Sequence, residues 1–213
     1  MIRVAVAVQS APLRAALERA LGQRRSLAVV PLPGAWSPTA PAAFGADVVL
    51  VDLADWFPAR LAARRGRRIS ETPGPALIAL AEAPDEALVA AALRAGAQGV
   101  LPYGAGVAEL AAAVEAAATG LVVLPGELGS AVTSRSRRRQ DGRRREPPAA
   151  LTERERDVLA LLAAGLPNRA IGSRLGISEQ TVKTYVAAIL DKLDAATRAE
   201  AVAIGARRGL IML

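Results

Sequence analysis

From Leu151 to Ala201 the chain reads LTERERDVLALLAAGLPNRAIGSRLGISEQTVKTYVAAILDKLDAATRAEA, and this stretch limits the fold more than any other. Thr152 and Glu155 have the T-x-x-E spacing of a capping box, in which hydroxyl and carboxylate satisfy each other's orphan backbone donors. Val158, Leu161 and Leu162 follow at helical spacing, and Gly165 stops the helix. A second short helix begins near Asn168 with Ile171 and Leu175 inward; Gly176 and Ile177 turn the chain, and Ser178 is an N-cap for a third. In that third helix Val182, Val186, Ile189, Leu190 and Leu193 form the apolar stripe. Thr181, Lys183, Thr184, Ala187 and Ala188 form the other, small and basic face. Two helices around a glycine turn, the second presenting short side chains and a Lys, suit the DNA major groove. The same residues also allow a helical bundle that binds protein.

The pattern LT-x-RER-x-VL-x-LLA-x-GL-x-N-x-x-I-x-x-x-L-x-IS-x-x-TVKT-x-V-x-x-IL-x-KL resembles the LuxR-type helix-turn-helix of the NarL/FixJ response regulators, without a gap. The resemblance implies that Ser178 to Leu193 is the recognition helix, with Lys183, Thr184 and Ala187 at its base-facing positions. It places Asn168, Ser178 and Thr181 in the same DNA-binding set. Tyr185 stands where the family usually has His, and its hydroxyl would serve a sugar-phosphate contact. Ala199, Val202, Ala203 and Ala206 then recur at helical spacing between Thr197 and Arg208. In the family this last helix pairs two DNA-binding domains on two half-sites, so a homodimer on double-stranded DNA is expected.

Ahead of this stretch, strand-like and helix-like segments alternate. Strands are expected at Ile2–Val8, Leu27–Leu32, Asp47–Val51, Ala76–Leu80 and Gly99–Leu101. Helices are expected at Pro12–Leu21, Phe57–Arg65, Asp85–Ala95 and Val107–Thr119, with a short or irregular one in Pro33–Phe44. Apolar strands alternating with helices imply a parallel sheet covered on both faces, and the count fits a five-stranded flavodoxin-like order. The fold class is therefore α/β plus all-α. The expected divisions are an α/β domain over 1–120, an Arg-rich linker over 121–150 and a four-helix domain over 151–213.

The α/β part resembles the receiver domain of the same family, through ALRAGAQGVL (Ala92–Leu101) and ADVVLVDL (Ala46–Leu53). That resemblance makes Asp52 the phosphoacceptor equivalent. A working receiver also needs two acidic residues that hold Mg²⁺, a Ser or Thr on the phosphoryl oxygen, and a Lys that offsets its charge. Here the acidic pair falls on Val8 and Gln9, the Ser/Thr on Ala81, and the Lys on Tyr103. No Lys precedes Lys183. Losing metal, clamp and cation together removes the electrostatic support for phosphoryl transfer. The expectation is a degenerate receiver with Asp52 hydrogen-bonded to loop amides, no metal and no cofactor, in a regulator rather than an enzyme. Two alternatives stay open: conventional phosphorylation of Asp52 by a sensor kinase in a two-component system, and control by a small-molecule ligand or partner protein at the strand rim. Trp36, Trp56 and Phe57 read as packing residues, although Trp56 and Phe57 also stand close enough after Asp52 to cover the rim. Asp55 and Asp85 read as solvated or capping residues.

Cysteine and histidine are both absent, which excludes disulfides, a Ser-His-Asp site and His-ligated zinc. The formal charge of +7 is uneven: residues 1–120 carry 11 basic and 10 acidic side chains, 121–150 carry 7 and 3, and 151–213 carry 9 and 7. Seven Arg between Arg135 and Arg145, with Gly142, Pro147 and Pro148, read as a solvated tether that also offers salt-sensitive phosphate affinity. LVVLPGEL, just before, is expected to extend or cap the last α/β helix. Met1–Val8 is too short and too charged for a signal peptide or membrane span, so the expected location is the cytoplasm.

Overall fold

The computed structural model describes residues 1–32, 45–66, 74–126 and 150–212, with backbone only for 61–66. Trp36, the expected Pro33–Phe44 helix and the Arg-rich tether lie outside the described residues. By internal contacts the chain divides into two units, the first holding Met1–Pro84 and Ala92–Pro125, the second Asp85–Ala91 and Gly126–Leu213.

In the first unit, short runs of mostly apolar residues supply β1 (Ile2–Ala7), β2 (Leu27–Val29), β3 (Val48–Asp52), β4 (Ala76–Ala81) and β5 (Gly99–Pro102). They pair in parallel in the order β2-β1-β3-β4-β5, the expected flavodoxin-like topology. Register is fixed by pairs such as Val6 with Leu50, Leu50 with Ile78 and Leu80 with Leu101. On one face Val4, Val6, Leu50, Ile78 and Leu80 pack against Leu17 and Leu21 of α1 (Ala11–Gly22) and Leu110 and Val114 of α4 (Val107–Ala118). Alternation turns Val49, Val51, Ala79 and Val100 to the other face, and these are buried as well. Both faces are therefore covered, as continuous apolar strands require.

Sequence and structure differ at one helix boundary. Helix α2 runs from Leu53 to Gly66, beginning four residues before the expected Phe57. Pro58 looks like a first-turn residue but lies in the second turn, where its missing N–H leaves the Ala54 carbonyl without a helical donor. The true start is set by Asp52, whose Oδ1 accepts from the Ala54 N–H at 3.0 Å. Helix α3 (Glu86–Ala95) begins as expected, with Asp85 Oδ1 accepting from Leu88 N at 2.9 Å; Asp85 is a capping residue. After α4 the following segment caps that helix and does not extend it: Gly120 adopts φ +87°, and the Leu121 N–H donates back to the Ala116 carbonyl at 3.1 Å. Val123 then bridges Gly99 in parallel at the open edge of β5. A side chain at Gly99 would place its Cβ 3.2 Å from the Val123 carbonyl, so glycine permits the approach.

In the second unit the expected helices appear as α5 (Glu153–Ala163), α6 (Asn168–Leu175), α7 (Glu179–Leu193) and α8 (Arg198–Arg207). The Thr152–Glu155 capping box is present in both directions. Gly176 ends α6 with φ 67°, in the left-handed region that glycine enters without strain. Ser178 caps α7 and Thr197 caps α8 through their side chains. Val158, Leu159, Leu162, Ile171, Val182, Ile189 and Leu193 are buried, and Arg198 ties α8 to the end of α5 by donating to the Leu162 and Leu166 carbonyls. No described helix is long and apolar enough to cross a membrane.

Candidate nucleic-acid interface and receiver pocket

The carboxyl ends of β1, β3, β4 and β5 bring together the positions that the receiver resemblance singles out. Val8 and Ala81 are buried, Asp52 and Tyr103 half-buried, and Gln9 exposed. The Tyr103 N–H donates to the Ala81 carbonyl at 2.8 Å, which continues the β4–β5 pairing past its last residue. Tyr103 thereby projects from the rim, and its hydroxyl reaches over the β4 end to donate to Asp52 Oδ2 at 2.5 Å. Ala81, a single methyl at that end, leaves the passage open. With Ala54 N–H on Oδ1, both carboxylate oxygens hold a donor from this chain. The amide on Asp52 comes from the first turn of α2 and not from a loop as expected; the tie to Tyr103 is not legible from the sequence, which places Tyr103 only at the Lys position. Burial, followed by the Asp52 carboxylate, pushes the Tyr103 phenol well above its ordinary range.

Where a receiver has its acidic pair, the Val8 carbonyl instead accepts from the Arg14 guanidinium at 3.2 Å. A cation already donates there, and Gln9 brings only a neutral amide. Magnesium favours several hard, preferably anionic oxygens, so these residues do not fit it. Among the described residues no group of three Asp or Glu side chains is placed to hold a metal. Trp56 and Phe57 are buried with ring centroids 6.4 Å apart, in keeping with packing roles, and the Trp56 Nε1 has no hydrogen-bond partner among the described residues.

The second unit positions the candidate DNA-binding residues on α6 and α7. The turn between these helices is tight: the Ile177 N–H donates to the Gly172 carbonyl at 3.0 Å, and a methyl on Gly172 would meet the Ile177 oxygen at 2.6 Å. Ser178 Oγ accepts from Thr181 N at 3.1 Å and shares a 2.8 Å hydrogen bond with the Thr181 hydroxyl. Thr184 turns its hydroxyl back to the Gln180 carbonyl at 3.4 Å. Lys183 is the exposed member of the expected face, its side chain 47% accessible and its ammonium 3.0 Å from Gln180 Oε1 and 4.0 Å from Glu179. Thr181, Thr184, Tyr185, Ala187 and Ala188 are buried, whereas Val186 and Leu190, assigned to the inner stripe, are half-buried. Helix α7 is flanked by α5, α6 and α8, so more than one stripe of it is covered. Asn168 opens α6 as its first residue, behind the uncapped turn at Pro167.

One pair beneath this surface went unnoticed in the sequence. Lys192 donates to Glu155 Oε2 at 2.5 Å, with side-chain exposures of 7% and 0%. The same oxygen takes the Thr152 N–H at 2.7 Å, and Oε1 is buried without a partner among the described residues. The capping-box carboxylate thus also anchors the end of α7 to the start of α5. Its signal was only the T-x-x-E spacing; nothing in the sequence pairs Glu155 with a Lys 37 residues on.

Residues 149–204 match the family described as bacterial regulatory proteins, luxR family. The chain is 36% identical over 141 residues to the transcriptional regulatory protein LiaR of Bacillus subtilis, spanning 66% of each, or about two thirds of that relative's length. It is 30% identical over 167 residues to the transcriptional regulatory protein YdfI of Bacillus subtilis, covering 78% of this chain and 76% of that one. The RcsB response regulator of Salmonella typhimurium has the same fold, with a TM-score of 0.52 at 18% identity over 95% of this chain and 98% of that one. A parallel five-stranded unit followed by a capped helix-turn-helix, with this degree of likeness, places the chain in the LuxR-type response regulators, DNA-binding regulators of transcription.

Proposed function

We propose that this protein regulates transcription in the cytoplasm as a dimer on two-fold-related DNA sites, without catalysis and without phosphorylation of Asp52. The observation that carries the last point is the Tyr103–Asp52 hydrogen bond of 2.5 Å. A phosphoacceptor needs one carboxylate oxygen free to attack and a metal on the other. Asp52 has a donor from its own chain on each, beside Val8 and Gln9 where metal ligands would stand. Control then passes to dimerisation, protein level, or a molecule bound at the strand rim.

In this reading Lys183 meets base edges and Asn168 and Ser178 position the helices against the backbone, while Thr184 and Ala187 reach base edges, and Thr181 and Tyr185 the backbone, only when the side of α7 on which they are buried is uncovered. Lys183 supports it most directly, as an exposed cation on the second helix of the motif. The similar fold of RcsB, solved as dimers on DNA, supports the two-fold arrangement. The test is affinity for DNA selected from a random-sequence pool, measured with and without acetyl phosphate and magnesium. Equal affinity is expected. A gain that vanishes in Asp52→Asn would refute phosphorylation independence.

A further inference from the structure

Helix α6 buries Ile171 and Gly172 and leaves its opposite face to solvent. That face, with the turn before it, forms an open hollow of about 650 Å³ lined by Leu166, Pro167, Arg169, Ala170, Ser173 and Arg174. Its floor is apolar, from Leu166, Pro167 and Ala170. Its rim is basic: Arg169 and Arg174 are both exposed on the outer face of the helix.

Charge distinguishes this hollow from the rest of the unit. Asn168–Leu175 contains no carboxylate, and among the described residues neither guanidinium makes an ion pair. Lys183 and Lys192, by contrast, each have a Glu partner. The Ser173 hydroxyl is already committed to the Arg169 carbonyl at 3.1 Å, so the two guanidinium groups are the polar features facing outward. Planar, always-charged forks at an apolar hollow match carboxylates carried beside apolar side chains.

We propose that this hollow docks an acidic, amphipathic segment of a protein partner. An aliphatic or aromatic side chain of the partner fills the Leu166–Pro167–Ala170 floor, and its carboxylates pair with Arg169 and Arg174 on either side of the outer face. A DNA phosphate is the competing occupant. It would use the two cations and gain nothing from the apolar floor, which is why the protein segment is the better fit.

The experiment uses the full chain and two labelled synthetic peptides. One is an amphipathic helix of Glu and Leu at i, i+3 and i+4 spacing; the other has Lys for every Glu. Anisotropy should show preferential binding of the acidic peptide, and amide NMR shifts should concentrate in residues 166–174. Arg169→Gln with Arg174→Gln should weaken it by about three- to tenfold, the scale of two rim ion pairs. Ala170→Arg, which fills the floor but keeps both cations, should weaken it too. Affinity of the double Gln variant for selected DNA should stay within about twofold. The proposal is overturned if both peptides bind equally, or if the acidic one shows no binding below about 1 mM. It is also overturned if the double variant loses affinity for selected and random DNA alike with a shallower salt dependence, which assigns both Arg to the phosphate backbone.

Discussion

Replacing Tyr103 by Phe removes one hydroxyl and leaves the ring, so it isolates the hydrogen bond that occupies Asp52. A hydrogen bond to a charged group contributes about 1.5–3 kcal/mol. Tyr103 and Asp52 are both half-buried, so solvent replaces part of the loss and the lower end, about 1.5 kcal/mol, applies. For a unit of this size the urea slope is roughly 1–2 kcal/mol per molar, which makes the expected fall in midpoint about 1 M. The chain supplies its own reporter: its two tryptophans, Trp36 and Trp56, both precede residue 120, and Trp56 is 1% exposed. Fluorescence therefore follows the first unit without signal from the helix-turn-helix. A midpoint unchanged within about 0.2 M, at unchanged slope, would show that the phenol does not hold Asp52 and would refute the reasoning.

The same phenol gives a pH test. Its ionisation is pushed upward in the folded state, so the stabilisation it provides is whole below about pH 10, the unfolded value, and is lost as pH rises beyond it. The 295 nm absorbance difference between the parent and Tyr103→Phe should stay flat near pH 10 and appear only on unfolding; an ordinary phenolate step there contradicts it. Lys192→Met leaves the Glu155 carboxylate buried with only the Thr152 N–H on its bonded oxygen, and should cost about 3–5 kcal/mol of the second unit's stability. Hydrogen exchange at α5 and α7 checks this, and protection within about 1 kcal/mol of the parent would mean the pair is solvated. Lys183→Ala should cost about 1–3 kcal/mol on selected DNA and little on random DNA; equal losses on both would reassign Lys183 to a phosphate contact.

The helix-turn-helix was legible because its signals are local. Thr152 and Glu155 are three residues apart, Ser178 caps the helix it precedes, and Gly176 turns the chain where it stands. The sheet was legible for a related reason: five apolar strands separated by helices leave parallel pairing as the simple solution. What the sequence hid is carried by distant partners. Tyr103 and Asp52 are 51 residues apart, Glu155 and Lys192 are 37, and each pair forms only once the elements dock. The start of α2 is hidden because the group that receives its first-turn N–H, the Asp52 carboxylate, is also the position that the receiver resemblance marks as phosphoacceptor. The bridge from Val123 to Gly99 is hidden because a one-residue pairing at a sheet edge has no period to detect.

The most direct test of the account is the intact mass of the purified protein after incubation with acetyl phosphate and magnesium, beside Asp52→Asn. With Tyr103 and Ala54 on the two oxygens of Asp52, and Val8 and Gln9 where acidic ligands would stand, the account predicts the same mass before and after treatment. A phosphoryl adduct of about 80 Da that disappears in Asp52→Asn would contradict it, and would make Asp52 a working phosphoacceptor despite its occupied oxygens.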